Sequence, residues 1–235
     1  MFGHEAAGPG VQLRAKSALV RLGARCSRRT IHRLNAAVNY LEVGRWMHER
    51  GFEPDRRFAR REELFDAVAA EVADERVLYL EFGVFEGEAT RYWSSLLRHP
   101  EARLHGFDSF EGLPEDWSFV EGRGHFSTNG HLPEIADERV RFFKGWFEDT
   151  LPRYEPPEHD RLVVNVDCDL YSSAALVLET LEPLVVPGAF VYFDEFHHRH
   201  HELRAFDEFL ERTGARFDAV AATPDLNHVV FRRLP

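Results

Sequence analysis

The sequence has only two cysteines among its 235 residues, Cys26 and Cys168. Two cysteines cannot form the framework of several disulfides that stabilises small secreted domains. Residues 1–10 also lack the apolar core and the early basic cluster of a secretory signal. These absences predict a cytoplasmic protein.

The sequence also lacks long apolar runs and an excess of positive charge. No run approaches the roughly 18–20 apolar residues that a membrane-spanning helix needs. The formal net charge is −11, which disfavours nucleic acids and anionic membranes as partners. Because 44% of the residues are hydrophobic, the chain has enough apolar material for one large α/β domain with additional segments.

Strand and helix patterns alternate after residue 75. Short apolar runs predict strands at 77–81, 104–108, 140–144, 162–166, 189–193, 217–222 and 228–232. Helical spacing of apolar residues predicts helices at 88–97, 172–184 and about 200–212. This alternation is typical of an α/β fold with a doubly wound, mostly parallel sheet of seven strands.

The N-terminal part of the chain carries no catalytic motif. Residues 1–30 contain glycine and several arginines, and we expect them to form a solvated arm. Apolar residues at helical spacing predict helices at 31–50 and 61–72. We therefore divide the chain into an N-terminal helical extension, residues 1–74, which caps the sheet or covers a ligand, and a domain at 75–235.

A glycine turn follows the first predicted strand of that domain. Glu81 lies at the end of the strand, and Gly83 and Gly87 permit a sharp turn before the next helix. A strand, a glycine turn and a helix N-terminus together form a site for a nucleotide-like ligand. The spacing differs from the dinucleotide fingerprint, and an acid before the first glycine suits a cationic ligand. S-adenosylmethionine, which carries an ammonium and a sulfonium, is such a ligand.

The next two strand ends carry candidate contacts for an adenosine. Asp108 lies about 20 positions after the glycine turn, where an acidic side chain holds the ribose hydroxyls. The alternative is that Asp108 is a helix N-cap. Trp146 follows the third strand, and its ring would stack on an adenine or pack in the core.

Four acids follow the fourth and fifth strands, namely Asp167, Asp169, Asp194 and Glu195. Because parallel strands end at one edge of a sheet, these carboxylates would repel one another and raise each other's pKa. A divalent cation removes that repulsion, and oxygen ligands favour Mg²⁺, Ca²⁺ or Mn²⁺ over zinc. The alternative is that Asp169 and Asp194 cap the helices that follow them.

Two further segments attract attention by composition. His197, His198, His200 and His201 lack a cysteine partner, so we expect a solvated loop rather than a zinc site. One of these histidines near the acids would still serve as a base or bind substrate. Residues 117–132 are rich in glycine and polar side chains, which predicts a flexible segment and a candidate lid.

The sequence contains five informative segments in order: E-F-G-V-F-E-G at 81–87, G-F-D-S-F-E-G-L-P at 106–114, K-G-W-F-E-D-T-L-P at 144–152, V-D-C-D-L-Y at 166–171 and D-E at 194–195. Together they resemble the macrocin/mycinamicin-type O-methyltransferases. The resemblance covers roughly residues 77–212. It implies a class I S-adenosylmethionine-dependent enzyme that methylates sugar hydroxyls on natural products. Catechol O-methyltransferase is a more distant relative by the same glycine turn and acids.

The resemblance also implies roles for individual residues. It assigns contacts with S-adenosylmethionine to Glu81, Gly83, Phe85, Thr90, Asp108, Ser109, Gly145 and Trp146. It assigns Mg²⁺ to Asp167, Asp194 and Glu195, and it makes Asp169 the candidate base. Family members often carry two aspartates where this chain has Asp194 and Glu195, so the metal geometry is expected to differ.

The acceptor implied by the resemblance is a small molecule with a hydroxyl group, glycosides included. The resemblance leaves open which acceptor is used, which position is methylated and whether the chain forms a homo-oligomer. A metal-dependent Asp-x-Asp glycosyltransferase is one alternative, but it does not account for Glu81 or Asp108. A non-catalytic protein that binds the same cofactor and uses it for assembly is another.

Overall fold

The computed structural model of the chain describes residues 9–117 and 121–235, with side chains from residue 12 onward. The chain divides into two units, residues 1–38 and 39–235. Within the described ranges, no helix is long and apolar enough to cross a membrane.

The first unit is helical. Helix α1 spans Pro9–Gly23, and helix α2, Arg28–Arg50, begins in this unit and ends in the second. The solvated arm expected at residues 1–30 is therefore a helix over most of its length, although residues 12–25 are exposed as expected. Its first eight residues lie outside the described part of the chain.

The second unit is built on one sheet of eight strands. These are β1 Arg56–Arg57, β2 Val77–Phe82, β3 Arg103–Asp108, β4 Val140–Lys144, β5 Arg161–Val166, β6 Phe190–Phe193, β7 Phe217–Ala222 and β8 Val229–Arg233. Their order in the sheet is β1-β7-β8-β6-β5-β2-β3-β4. Strand β8 runs antiparallel to its neighbours β6 and β7, and the other described pairs are parallel.

Five helices connect these strands. They are α3 Arg61–Val72, α4 Glu88–Leu96, the short α5 Phe147–Thr150, α6 Tyr171–Leu181 and α7 Glu202–Thr213. Single 3₁₀ turns follow α5 and α6, at Leu151–Arg153 and Glu182–Leu184. The predicted doubly wound, mostly parallel sheet is therefore confirmed.

The sheet is buried on both faces, as a parallel sheet requires. Alternate residues of β2 enter two separate apolar clusters, because successive side chains of a strand point to opposite faces. Leu78 and Leu80 belong to the cluster that α6 and α7 cover, whereas Val77 and Tyr79 belong to the cluster that α3 and α4 cover. The second half of α2 joins the first cluster through Val43.

The structure differs from the sequence prediction at one edge of the sheet. The two-residue strand β1 pairs in parallel with β7, and its two exposed arginines carry no apolar signal. Helix α3, which the prediction placed in the N-terminal extension, packs into the same cluster as the sheet residue Tyr79. A separate role of residues 1–74 as a cap or lid stays a prediction.

The register of the parallel strands decides where the polar loops lie. Phe82 of β2 is paired with Phe107 of β3 and with Val166 of β5, and Val166 is paired with Phe193 of β6. The four strands therefore end together. Because the strand order reverses between β2 and β5, their carboxyl ends border the crevice in which open α/β sheets bind ligands.

Candidate functional site

The loops after these strands enclose a cavity of about 800 Å³, a volume typical of small-molecule sites. Its lining includes all but one of the predicted site residues: Glu81, Gly83, Phe85, Asp108, Ser109, Gly145, Trp146, Asp167, Asp169, Asp194 and Glu195. The exception, Thr90, is fully buried behind the cavity wall. Residues far apart in the sequence therefore surround one space.

Glu81 is a buried acid at the base of this cavity, with 1% of its surface exposed. Its Oε2 accepts hydrogen bonds from the Thr90 hydroxyl at 2.6 Å and from the Tyr79 hydroxyl at 2.9 Å. The Asn165 amide in turn donates to the Tyr79 hydroxyl at 3.1 Å. Burial raises the pKa of Glu81 to about 7, although the two hydroxyl donors oppose that rise. A cation bound beside Glu81 would favour its charged form.

Replacing Thr90 by valine tests this arrangement. We expect Thr90→Val to lower the free energy of unfolding by about 1–3 kcal/mol, because the buried Glu81 carboxyl loses its shortest hydrogen bond. Thr90→Ser keeps the hydroxyl donor and should lose less, since only a buried methyl group is removed. Urea denaturation of the three proteins measures both effects, and an equal loss in the two variants would contradict the assignment.

Two features hold the glycine turn in place: the close approach of Gly83 to the backbone of Asp167, and hydrogen bonds to the Asp108 side chain. Gly83 has a φ of +91°, and a Cβ built there would lie 1.7 Å from the Asp167 carbonyl oxygen. Asp108 fixes the same turn, because its Oδ2 accepts hydrogen bonds from the backbone N–H groups of Val84 and Phe85 at 2.8 and 2.9 Å. Phe85 has a φ of +50°. The turn therefore admits neither a side chain at Gly83 nor a rearrangement of Phe85 without disturbing its neighbours.

Asp108 keeps some capacity for a ligand. Its Oδ1 accepts one further hydrogen bond, from the Phe110 backbone N–H at 2.7 Å, so three donors occupy a carboxylate that has about four lone-pair sites. No helix follows directly, because residues 109–117 are irregular, and the alternative of a helix N-cap does not hold. One position remains for a donor such as a ribose hydroxyl.

Ser109 and Trp146 lie on the adjoining wall, where an adenine is predicted. The Ser109 hydroxyl is buried and accepts a hydrogen bond from the Glu111 N–H at 3.1 Å. Trp146 is half-buried, follows Gly145 and immediately precedes α5. It lines the cavity and belongs to neither apolar cluster of the sheet. Its ring is thus available for stacking, which was one of the two predicted possibilities.

Protein groups surround the predicted metal ligands. Asp194 Oδ1 accepts a hydrogen bond from the Tyr192 hydroxyl at 2.5 Å and lies 3.1 Å from His228 Nδ1. Arg61 Nη1 lies 3.7 Å from Asp167 Oδ2 and 3.6 Å from Asp194 Oδ1. Burial raises the pKa of Asp167, and the charge of Asp194 raises it further. For Asp194, burial is outweighed by the contacts with His228 and Tyr192, and its pKa is lowered.

These acids do not fit a divalent cation as they are arranged here. Carboxylate oxygens are suitable ligands for Mg²⁺, but the described residues contain no group of three or more His, Cys, Asp or Glu side chains placed to hold a metal ion. The Arg61 guanidinium lies beside two of the three predicted ligands. The role of Mg²⁺ at Asp167, Asp194 and Glu195 therefore stays a prediction without geometric support.

Asp169, the predicted base, is a buried acid of the cavity wall. It has a φ of +61°, and it is 9% exposed on the cavity wall. Burial raises its pKa to about 7, with a further contribution from the charge of Asp194. Burial and the same charge also raise the pKa of Glu195 to about 7. A carboxylate with a pKa near neutral pH is suited to general base catalysis.

Sequence reasoning missed Arg61, Tyr192, His228 and Glu202, which all contact the acids or lie beside them. Glu202 is fully buried, and its Oε2 accepts a hydrogen bond from the Glu195 N–H at 3.0 Å. Arg61 begins a helix in a segment without a motif, so no signal marked it. A polar Tyr192 within the apolar strand β6 was the one visible sign, because a buried tyrosine hydroxyl needs a partner.

The histidine segment is less exposed than expected. His197 stacks on Tyr40 with ring centroids 4.9 Å apart, and His201 Nδ1 accepts a hydrogen bond from the Tyr171 N–H at 3.3 Å. Burial lowers the pKa of His198 to about 3 and that of His201 to about 4. The prediction of a solvated loop is wrong for these three half-buried rings, whereas His200 is exposed.

Described residues of the candidate lid line the cavity. Gly124 N–H donates to the Leu113 carbonyl and Leu113 N–H donates to the His125 carbonyl, each at 2.9 Å. Trp117 and Phe126 line the cavity, and Phe126 meets Phe85 edge to face at 5.6 Å. Residues 118–120 lie outside the described ranges, so the predicted flexibility of this segment stays a prediction.

Comparisons with known proteins identify the family of the chain. A family model described as Macrocin-O-methyltransferase (TylF) matches residues 54–233. The 8-demethyl-8-(2,3-dimethoxy-alpha-L-rhamnosyl)-tetracenomycin-C 4'-O-methyltransferase of Streptomyces olivaceus is 34% identical over 137 residues, which are 50% of this chain and 52% of the relative. Mycinamicin III 3''-O-methyltransferase of Micromonospora griseorubida is 34% identical over 101 residues, 42% of this chain and 37% of the relative. The chain thus spans about half the length, or less, of these curated relatives.

A solved structure shows the same fold. The calicheamicin methyltransferase CalS11 superposes with a TM-score of 0.57 at 24% identity, covering 74% of this chain and 80% of that one. At this level of identity the likeness concerns the fold alone. It shows that the eight-stranded sheet described above has the fold of that methyltransferase.

Proposed function

Because the chain belongs to the macrocin-O-methyltransferase (TylF) family, we propose that it transfers a methyl group from S-adenosylmethionine to a hydroxyl group of a small molecule. The acceptor is a sugar or another polyhydroxylated natural product, as the names of the relatives indicate for those proteins. The proposal depends chiefly on one observation. Acids predicted to hold the cofactor, Glu81 and Asp108, and an acid suited to take a proton, Asp169, line the same cavity.

The residues present fit the cofactor. The buried Glu81 carboxylate offers a negative charge for an ammonium, and its hydroxyl donors fix its orientation. Asp108 keeps one lone-pair site for a ribose hydroxyl, and Trp146 offers an aromatic face for an adenine. Gly83 lets the backbone turn tightly at the end of β2, as a close approach between chain and ligand requires.

When bound, S-adenosylmethionine supplies a methyl group on a sulfonium that is already reactive toward oxygen. The chain then has to position the acceptor hydroxyl for in-line attack, at about 3–3.5 Å from the methyl carbon. Asp169 accepts the hydroxyl proton at a carboxylate oxygen. Its oxygens are available for this step because no described residue donates a hydrogen bond to them. Trp117 and Phe126 line the cavity, and their rings would restrict the access of water to the reacting groups.

Several finer statements belong to the same proposal. We assign the protein to the cytoplasm, and the free thiols of Cys26 and Cys168 are compatible with a reducing compartment. Nucleic acids and membranes are not proposed as partners. Assistance by Mg²⁺ was predicted from the sequence, but no step of the mechanism is derived through it, because the acids are not arranged for a metal.

Ligand binding and methyl transfer test the proposal. We expect S-adenosylhomocysteine to stabilise the protein by roughly 2.7 kcal/mol at about 100 times its Kd, whereas UDP-sugars should leave the melting temperature unchanged. Methyl-labelled S-adenosylmethionine should label an acceptor in a panel of rhamnosides, other glycosides and aromatic diols, detected by mass spectrometry.

The rival functions give different results in the same experiments. Stabilisation by a UDP-sugar but not by S-adenosylhomocysteine would indicate a glycosyltransferase and contradict the proposal. Binding of S-adenosylhomocysteine without labelling of any polyhydroxylated acceptor would indicate the non-catalytic alternative.

A further inference from the structure

The acid cluster already contains a positive charge that belongs to the chain. Arg61 is the first residue of α3, and 26% of its side chain is exposed. Its Nη1 lies within 3.7 Å of carboxylate oxygens of both Asp167 and Asp194, and its Nη2 lies 3.3 Å from Glu88 Oε2. The guanidinium thus connects the ends of β5 and β6 with the first turn of α4.

This position conflicts with a metal ion shared by the same two acids. Mg²⁺ binds its oxygen ligands at about 2.0–2.1 Å and demands near-octahedral geometry. An ion bound to Asp167 Oδ2 and Asp194 Oδ1 would share these two oxygens with Arg61 Nη1, which lies 3.6–3.7 Å from each of them. Such an ion would add a second positive charge beside the guanidinium, and like charges repel in a site partly shielded from water. Asp194 Oδ1 is also engaged by Tyr192 and lies 3.1 Å from His228 Nδ1.

We propose that the Arg61 guanidinium supplies the positive charge that a divalent cation would otherwise supply between Asp167 and Asp194. On this proposal, binding of the cofactor product and methyl transfer do not depend on added metal. Arg61 is a positioning residue, because it contacts the acids of the cavity and none of the reacting atoms. The inference deepens the proposed function. Only its activity measurements rest on that function, whereas the metal titration does not.

The surrounding contacts support this assignment. Although burial opposes its charge, the Asp194 and Asp167 carboxylates raise the pKa of Arg61. Asp194 is anchored independently by Tyr192 and lies beside His228, so the cluster has fixed protein partners on both sides. Arg61 and Glu81 line the same cavity. Burial raises the pKa of Glu81, and the guanidinium charge opposes that rise. A single built-in cation therefore serves several acids of the site.

A metal titration separates the two arrangements without measuring activity. Mn²⁺ is added to the whole protein and followed by electron paramagnetic resonance, for wild type, Arg61→Ala and Arg61→Lys. We expect no Mn²⁺ binding to wild type or Arg61→Lys, and binding to Arg61→Ala that the additional substitution Asp167→Asn removes. Arg57→Ala removes an exposed arginine of β1 and is the matched control for a lost positive charge. It should behave like wild type.

Activity and cofactor-product binding provide the second readout. A chelator should change neither S-adenosylhomocysteine affinity nor methyl transfer of the wild type. Arg61→Ala should lower kcat/KM about 10- to 100-fold, the effect of removing one member of a partly buried charge pair. Arg61→Lys keeps the charge and should retain most of the activity. Thermal melts check folding, and if Arg61→Ala does not fold, the titration and chelator test of wild type and Arg61→Lys decide.

Two results would overturn the inference. The first is that wild type and folded Arg61→Ala bind Mn²⁺ equally. The second is that wild-type methyl transfer is lost in chelator and recovers on added Mg²⁺. A wild-type protein that binds no S-adenosylhomocysteine would instead contradict the proposed function, while the Mn²⁺ titration would still decide the role of Arg61.

Discussion

Asp169→Asn is expected to lower kcat by about 10²–10⁴-fold, the usual contribution of a general base. Asparagine has nearly the same shape but cannot accept the proton of the acceptor hydroxyl. Affinity for S-adenosylhomocysteine should change little, because Asp169 is not among the residues predicted to contact the cofactor. Initial rates with saturating acceptor, together with calorimetric binding of the product cofactor, measure the two effects.

The pH dependence gives this prediction a sharper form. Burial and the charge of Asp194 raise the pKa of Asp169 to about 7. Only the deprotonated carboxylate can act as base, so wild-type kcat/KM should rise as pH increases through about 7. The residual activity of Asp169→Asn should lack this rise.

Glu195 provides the matched comparison, because it lines the same cavity and its pKa is also raised to about 7. If Asp169 is the base, Glu195→Gln keeps the rise of kcat/KM with pH, whatever its absolute activity. The assignment would be wrong if Glu195→Gln abolished the rise and Asp169→Asn preserved it.

Gly83→Ala is expected to lower the free energy of unfolding by about 2–4 kcal/mol and to abolish detectable binding of S-adenosylhomocysteine. The new Cβ would lie 1.7 Å from the Asp167 carbonyl oxygen, and the φ of +91° disfavours a side chain. Either the turn or the end of β5 must move. Both border the cavity, so the damage to stability and the damage to binding should appear together.

Gly214→Ala isolates the conformational part of this cost. Gly214, at the end of α7, has a φ of +64°, and no atom lies within 4 Å of a Cβ built there. Its substitution should therefore cost only about 1–2 kcal/mol, from the left-handed backbone alone, and should leave binding intact. Urea denaturation of both variants compares the losses, and equal losses would show that the contact with Asp167 is unimportant.

The fold of the second unit could be predicted because its strands are buried on both faces. A strand such as β5, Arg161–Val166, is apolar except at Arg161 and Asn165, and such an apolar run can be recognised without knowing which strands lie beside it. The convergence of Glu81, Asp108 and Asp167 followed from the same rule, since parallel strands end at one edge. Strand β1 could not be predicted, because backbone pairing with β7 alone makes it a strand.

The partners of the acids could not be predicted in the same way. Arg61 reaches Asp167 and Asp194 from a helix that precedes the first long strand, and nothing in its local sequence marks it. His228 lies beside Asp194 only because β8 runs antiparallel to β6. Contacts of this kind depend on how distant elements pack, whereas the convergence of the acids depends on the register of the parallel strands.

If the proposed activity holds, the close approach of Gly83 to the Asp167 carbonyl has a consequence for how the protein would acquire new acceptors. This approach packs the turn predicted to hold the donor directly against the end of β5. A shift of one would therefore displace the other. Diversification of specificity during evolution is therefore expected in the covering segment around Leu113, Trp117 and Phe126, where insertions and exchanged side chains reshape the entrance without shifting the methyl group relative to the base.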